Sequence, residues 1–119
     1  VDLPGYGFAK VPDRVRVLWA PLIETFFKTR ENLRGVIMLV DSRRVQDSDQ
    51  EMMAWVNRLN IPIILVATKA DKVPRGKRQE ATRQLQEGLG IDEVPIFLSA
   101  YTGEGKHQVL GQLRELLDI

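Results

Sequence analysis

The chain of 119 residues contains no cysteine. That excludes a disulfide framework and any zinc site built on thiolates, and it fits a reducing compartment such as the cytoplasm. It has a single histidine, His107, placed beside Lys106 near the start of a helical stretch, where it reads as a surface residue rather than a catalytic base. Long apolar runs are also lacking. The longest, such as Ile61–Ala67, are too short to cross a bilayer, and no secretory leader is visible. Neither sign of charge dominates: Lys plus Arg is 17 and Asp plus Glu is 16, a balance that gives no mandate for nucleic acid or membrane. Two glycine motifs are missing as well. Gly76-Lys77 is followed by Arg78 and Gly105-Lys106 by His107, so no G-x-x-x-x-G-K-(S/T) phosphate cradle occurs. Gly5-Tyr6-Gly7 runs on to Lys10 where the third glycine of a dinucleotide fingerprint belongs, which disfavours a Rossmann dehydrogenase. The first residue is Val1 rather than Met, and Val-Asp-Leu-Pro-Gly reads as the end of a strand. The expectation is a truncation point in a longer protein.

What is present suits one α/β domain. A Gly- and aromatic-rich loop, Gly5–Pro12, precedes a helical stretch from Asp13 to Thr29 with Val15, Leu18, Leu22 and Phe26 at helical spacing. Pro21 predicts a kink or break there. Val36–Val40 is a continuous apolar run of strand length, as in a central parallel strand covered on both faces. Ser48 and Glu51 match a capping box, and the helix behind them carries Met52, Trp55, Val56 and Leu59 on one face. Pro62–Ala67 predicts a second strand, Gly76–Gly88 a charged helix, and Pro95–Leu98 a third strand. Gly105–Leu117 predicts a last helix with Val109, Leu110, Leu113, Leu116 and Leu117 inward. Trp19 and Trp55 are spaced as packing residues.

Three short motifs follow strand ends, where open α/β sheets bind ligands. In Asp2-Leu3-Pro4-Gly5, an acid at a strand end can hold Mg²⁺ through water, and the glycine lets a backbone N–H approach a γ-phosphate. In Thr68-Lys69-Ala70-Asp71, a loop carboxylate can accept hydrogen bonds from guanine N1–H and the 2-amino group, neither of which adenine offers. The apolar lysine stem can lie along a purine face. At Ser99-Ala100, small residues let a backbone N–H reach guanine O6. Alone, each motif also occurs as a plain turn, a solvated Lys/Asp pair or a strand end. Their order and their spacing on successive strands strengthen one another.

Val1–Ala9 (VDLPGYGFA), Trp19, Arg30, Leu33, Leu39–Arg43, Asp49, Met52 or Met53, Trp55 and Val66–Lys72 (VATKADK) together resemble the EngB (YihA/YsxC) family of TRAFAC-class GTPases over essentially the whole chain. The resemblance implies a three-layer α/β/α, P-loop NTPase-like G domain with a mostly parallel sheet. Residues 1–119 would form a single partial domain, truncated at the N-terminus, with phosphate-binding loop and switch I upstream of Val1. It implies a slow GTPase switch that binds GTP or GDP and Mg²⁺ and acts in ribosome assembly and cell division, with a large-subunit precursor (rRNA and ribosomal proteins) as partner and no membrane. By position, Asp2 would sit near Mg²⁺ and Gly5 at the γ-phosphate. Thr68, Lys69 and Asp71 would hold guanine, with Ser99 and Ala100 completing its pocket. Thr68 stands where many GTPases have Asn, and Tyr6 where several place a water-orienting Gln. Slow intrinsic hydrolysis follows from the latter, with a switch II loop, Tyr6–Pro12, that orders on γ-phosphate. Absence of the strand before the phosphate loop would leave apolar edges uncovered.

Arg30, Arg34, Arg43 and Arg44, and separately Lys72, Arg75, Lys77 and Arg78, are candidate basic faces for rRNA. Two other readings stand beside the GTPase. One is a non-catalytic interaction fragment unable to bind nucleotide alone, favoured by the missing phosphate cradle. The other is a phosphoacceptor receiver using Asp41 and Lys69, disfavoured because its lysine belongs one strand later, where Ser99 stands.

Overall fold

The structure, a computed structural model, describes residues 31–118 together with Pro21, Thr25 and Lys28, which are helical and exposed. The rest of the expected Asp13–Thr29 helix, the Asp2-to-Gly5 motif and the Tyr6–Pro12 loop lie outside the described residues.

Apolar runs bounded by turns make three strands: β1 (Val36–Asp41), β2 (Ile63–Thr68) and β3 (Ile96–Phe97). They pair in parallel in the order β1-β2-β3, with Asp41 opposite Thr68 and Ala67 opposite Phe97. Helices alternate with them: α1 (Asp47–Arg58), α2 (Arg78–Leu89) and α3 (Lys106–Leu117). Parallel strands need such crossovers.

Alternation along β2 sorts the core into two layers, because successive side chains of a strand point to opposite faces. Leu65 and Ala67 join Met38 and Val40 of β1 against Met53 of α1 and Leu85 and Leu89 of α2. Ile64 and Val66 join Ile96, with Val109, Leu113 and Leu116 of α3 against them. Two helices on one face and one on the other give the expected three layers. Val56 and Leu85 are almost wholly buried, each stabilising the fold by about 1.5–3 kcal/mol.

Three expectations need correction. First, β1 is covered on one face: Met38 and Val40 are buried, but Ile37 and Leu39 are 41% and 54% exposed, because α3 packs on β2 and β3. Second, α1 starts before Ser48. The Asp49 carboxylate, not that of Glu51, accepts the Gln46 N–H at 2.9 Å, so the cap sits two residues earlier and Met53 replaces Met52 as the buried methionine. Third, Leu110 and Leu117 are exposed. The apolar stripe of α3 is narrower than its composition suggests, and only Val109, Leu113 and Leu116 meet the sheet.

Candidate nucleotide-base site

The C-terminal ends of the three strands bring the central and last motifs together. β2 ends at Thr68, whose hydroxyl donates to the Val40 carbonyl at 3.1 Å. That ties β2 to β1 and occupies the hydroxyl within the sheet. Lys69 then turns left-handed, with φ 58°, an uncommon conformation for a residue with a side chain and one that the surroundings must hold. The buried Ser42 hydroxyl does so by donating to the Lys69 carbonyl at 3.1 Å. A 3-10 turn, Ala70–Lys72, follows and raises Asp71 to the surface.

From the other side, β3 leads into a tight loop, Ser99–Gly105. Ser99 is wholly buried, and its hydroxyl donates to Asp71 Oδ1 at 2.8 Å while accepting the Thr102 N–H at 3.1 Å. The Ser99 N–H reaches the Glu104 carbonyl at 3.0 Å, and the Ala70 N–H the Leu98 carbonyl at 3.1 Å. Ala100 is exposed on the rim. Thus Thr68, Lys69, Asp71, Ser99 and Ala100 share one edge of the sheet, while Asp2 and Gly5 lie outside the described residues. The Ser99 hydroxyl is the main reason Asp71 titrates below the ordinary carboxylate range, although burial pulls the other way. An ionised carboxylate only accepts hydrogen bonds, which is the state a base presenting two N–H donors requires.

A charged group borders the edge at the end of β1. Asp41 accepts from Arg43 Nε at 3.0 Å, Nη2 at 2.9 Å and the backbone N–H at 2.8 Å. Lys69 Nζ stands 3.5 Å from the same carboxylate. The Arg43 hydrogen bonds hold Asp41 far below the usual carboxylate range. Lys69 thus pairs with Asp41 at the ends of β1 and β2 while its side chain stays largely exposed.

Sequence reasoning missed the residue that joins the two loops. Arg78, the first residue of α2, donates to the Val73 carbonyl (Nε, 2.9 Å), the Ala70 carbonyl (Nη2, 2.9 Å) and both Glu104 carboxylate oxygens (2.5 and 2.8 Å). Its guanidinium lies 4.9 Å from the Phe97 ring centroid. Arg78 thus turns inward from the basic cluster of its neighbours, whereas Arg43 pairs with Asp41 but stays half exposed. No local signal marks Glu104, which is 26 residues away.

For a metal, no group of three His, Cys, Asp or Glu side chains gathers among the described residues. Asp2 is the Mg²⁺ candidate. Among the described residues, no helix is long and apolar enough to cross a membrane.

No family model matches the chain. Individual relatives do. The protein described as "Probable GTP-binding protein EngB" from Geobacillus sp. (strain WCH70) is 44% identical over 120 residues, covering 98% of this chain and 62% of that protein. The protein of the same description from Desulfatibacillum aliphaticivorans is 43% identical over 122 residues, covering 100% and 59% respectively. The chain thus spans about three fifths of the length of these curated relatives. A crystal structure of a probable GTP-binding protein engB superposes with a TM-score of 0.79 over 98% of this chain and 75% of that one, at 22% identity. That likeness establishes the shared fold.

Proposed function

The chain belongs to the EngB family, and from that premise we propose that it carries the guanine-recognising side of a GTP-binding domain. One observation supports this most: the exposed Asp71 carboxylate, ionised and aimed by the buried Ser99 hydroxyl at 2.8 Å. Asp71 accepts from N1–H and the 2-amino group of guanine, with one acceptor direction already fixed by Ser99. The Lys69 stem covers one ring face, held from behind by Asp41. The Ala100 backbone N–H meets O6. Adenine has an acceptor at N1, no amino group at position 2 and a donor at position 6 where guanine has an acceptor, so it leaves the carboxylate unpaired.

The phosphates need groups that these loops do not supply. By family position Gly5 approaches the γ-phosphate and Asp2 holds Mg²⁺, which when bound neutralises phosphate charge. With Tyr6 beside Gly5, hydrolysis is slow and the protein acts as a switch. Its place of work is the cytoplasm, in assembly of the large ribosomal subunit, with pre-ribosomal RNA and proteins as partners. The support for this part is family membership and the sequence of the Val1–Ala9 stretch.

The test is a fluorescent-GDP titration of this chain joined to the preceding residues of a family relative that carries a phosphate-binding loop. GDP displaces the probe and ADP does not; equal displacement by both would sink the guanine reading. The 119-residue chain by itself binds far more weakly, and micromolar GDP binding by it would show that the phosphate cradle is dispensable. No base preference in either protein would leave the interaction-fragment reading.

A further inference from the structure

We propose that Arg78 is a positioning residue for base selection. With Glu104 and Phe97 it forms a clamp that fixes the distance between the Asp71 loop and the Ser99 loop. This rests on the guanine reading above and adds to it a residue that touches no nucleotide.

The geometry follows from the start of α2. Side chains on a helix lean toward its N-terminus, so the stem of Arg78 runs back over the segment that precedes it. There the guanidinium meets the Ala70 and Val73 carbonyls, which flank Asp71 on either side. The opposite edge of the same fork takes Glu104 in a two-point contact. Glu104 closes the second loop through its own backbone carbonyl, which accepts the Ser99 N–H at 3.0 Å. Phe97, the last residue of β3, lies against the guanidinium. One planar cation thereby touches all three segments that carry the site. Both partners are largely covered, with side-chain exposures of 18% and 24%.

A cation at a helix N-terminus opposes the helix dipole. Glu104 compensates that charge here. A lysine could supply the charge but not the fork, since an ammonium cannot donate in parallel to a carboxylate while reaching two carbonyls in the same plane. The only other side-chain hydrogen bond described between the two loops is Ser99 to Asp71. That bond acts directly on the carboxylate that reads the base. When the clamp is lost, the Ser99 loop can drift and the aim of Asp71 with it.

The experiment uses the chain joined to the preceding residues of a family relative, as in the titration above, and its Arg78→Lys and Glu104→Gln variants, the second in case the first does not fold. Nuclear magnetic resonance follows amide exchange at Ala70 and Ser99 and titrations with GDP, inosine diphosphate and ADP. Inosine diphosphate keeps N1–H and lacks the 2-amino group, so its binding relative to GDP reads the aim of Asp71. We expect exchange at both amides to quicken and the GDP preference over inosine diphosphate to fall about five-fold, the size of one weakened hydrogen bond. Unchanged exchange would overturn the clamp. Faster exchange with an unchanged preference would make Arg78 a merely structural residue and overturn its part in selection. A parent chain that does not prefer GDP to ADP would instead bring down the guanine reading, and the clamp proposal with it.

Discussion

Arg78 and Arg83 stand on the same helix, and each grips carboxylates with several donors, yet they do opposite kinds of work. Arg83 bonds Glu80 and Glu87, three and four residues away on α2, with Arg83 Nη1 2.7 Å from Glu87, and all three side chains are more than half exposed. Arg78 bonds Glu104, 26 residues away, and is mostly covered. Arg83 fastens a helix to itself in water, where ion pairs are screened and side-chain entropy opposes them. Arg78 fastens two loops that the strands alone would leave free to move. The same chemistry is local decoration in one place and the geometry of a site in the other; what separates them is burial and the length of chain that the contact closes.

The largest expected effect comes from breaking the loop that Arg78 holds. Gly105 has φ +83°, and a Cβ there would collide with the Phe97 carbonyl oxygen and press on Leu98 Cα at 3.3 Å. Gly105→Ala adds backbone strain to an overlap with main chain that cannot swing aside. It should cost about 3 kcal/mol, measured by urea unfolding, and should also release the Ser99 loop. A cost below about 0.5 kcal/mol, the range of ordinary surface changes, would mean that this loop is not tightly placed and that the comparison of the two arginines has no basis.

A smaller effect comes from acid. Arg78 holds Glu104 below its ordinary value of 4.5, and Ser99 holds Asp71 below its ordinary 3.8. A carboxyl whose folded pKa lies below its unfolded one contributes stability that is complete above the unfolded value and is lost as the pH falls through the folded one. Asp49 works in the other direction: burial raises it, so it disfavours the folded state once ionised. Stability should therefore decline as the pH drops below about 4.5, and Glu104→Gln should flatten the first part of that decline. Glu80 is also lowered, chiefly by Arg83. Its exposed share should vanish at about 1 M NaCl, where screening shortens to about 3 Å, while the share of covered Glu104 persists. An acid profile that salt erases completely would put Arg78 and Arg83 in one class.

Much of the fold was legible because it rests on short-range patterns. The run Val36–Val40 announced β1, and the spacing of Val109, Leu113 and Leu116 announced the buried stripe of α3. The errors lie where composition outran geometry. Leu110 and Leu117 are apolar but fall off the stripe, and Glu51 matched a cap pattern that the shorter Asp49 fills from two residues nearer the helix start. Thr68, Lys69, Asp71, Ser99 and Ala100 were legible as separate strand-end motifs. Their meeting at one edge was legible only through the parallel order of β2 and β3. The pairing of Arg78 with Glu104 was not legible. Both residues sit in charged stretches that read as solvated surface, and the register that opposes them is set by the pairing of Ala67 with Phe97, which no charge pattern announces.

The smallest effect is also the sharpest control. Methionine and arginine have similar helix propensity, so Arg83→Met removes the Glu80 and Glu87 contacts while leaving the backbone preference of α2 alone. All three groups lie in solvent, where water re-solvates the freed carboxylates. The melting temperature should stay within about a degree of the parent, and the preference for GDP over inosine diphosphate should not move. Arg78→Met removes the same number of charges from the same helix but strands a covered carboxylate and two carbonyls, so its melting temperature and base preference should both fall. If Arg83→Met lowered base preference as much, selection would depend on the charge or stability of α2 as a whole, and the position of Arg78 over Phe97 would carry no special role.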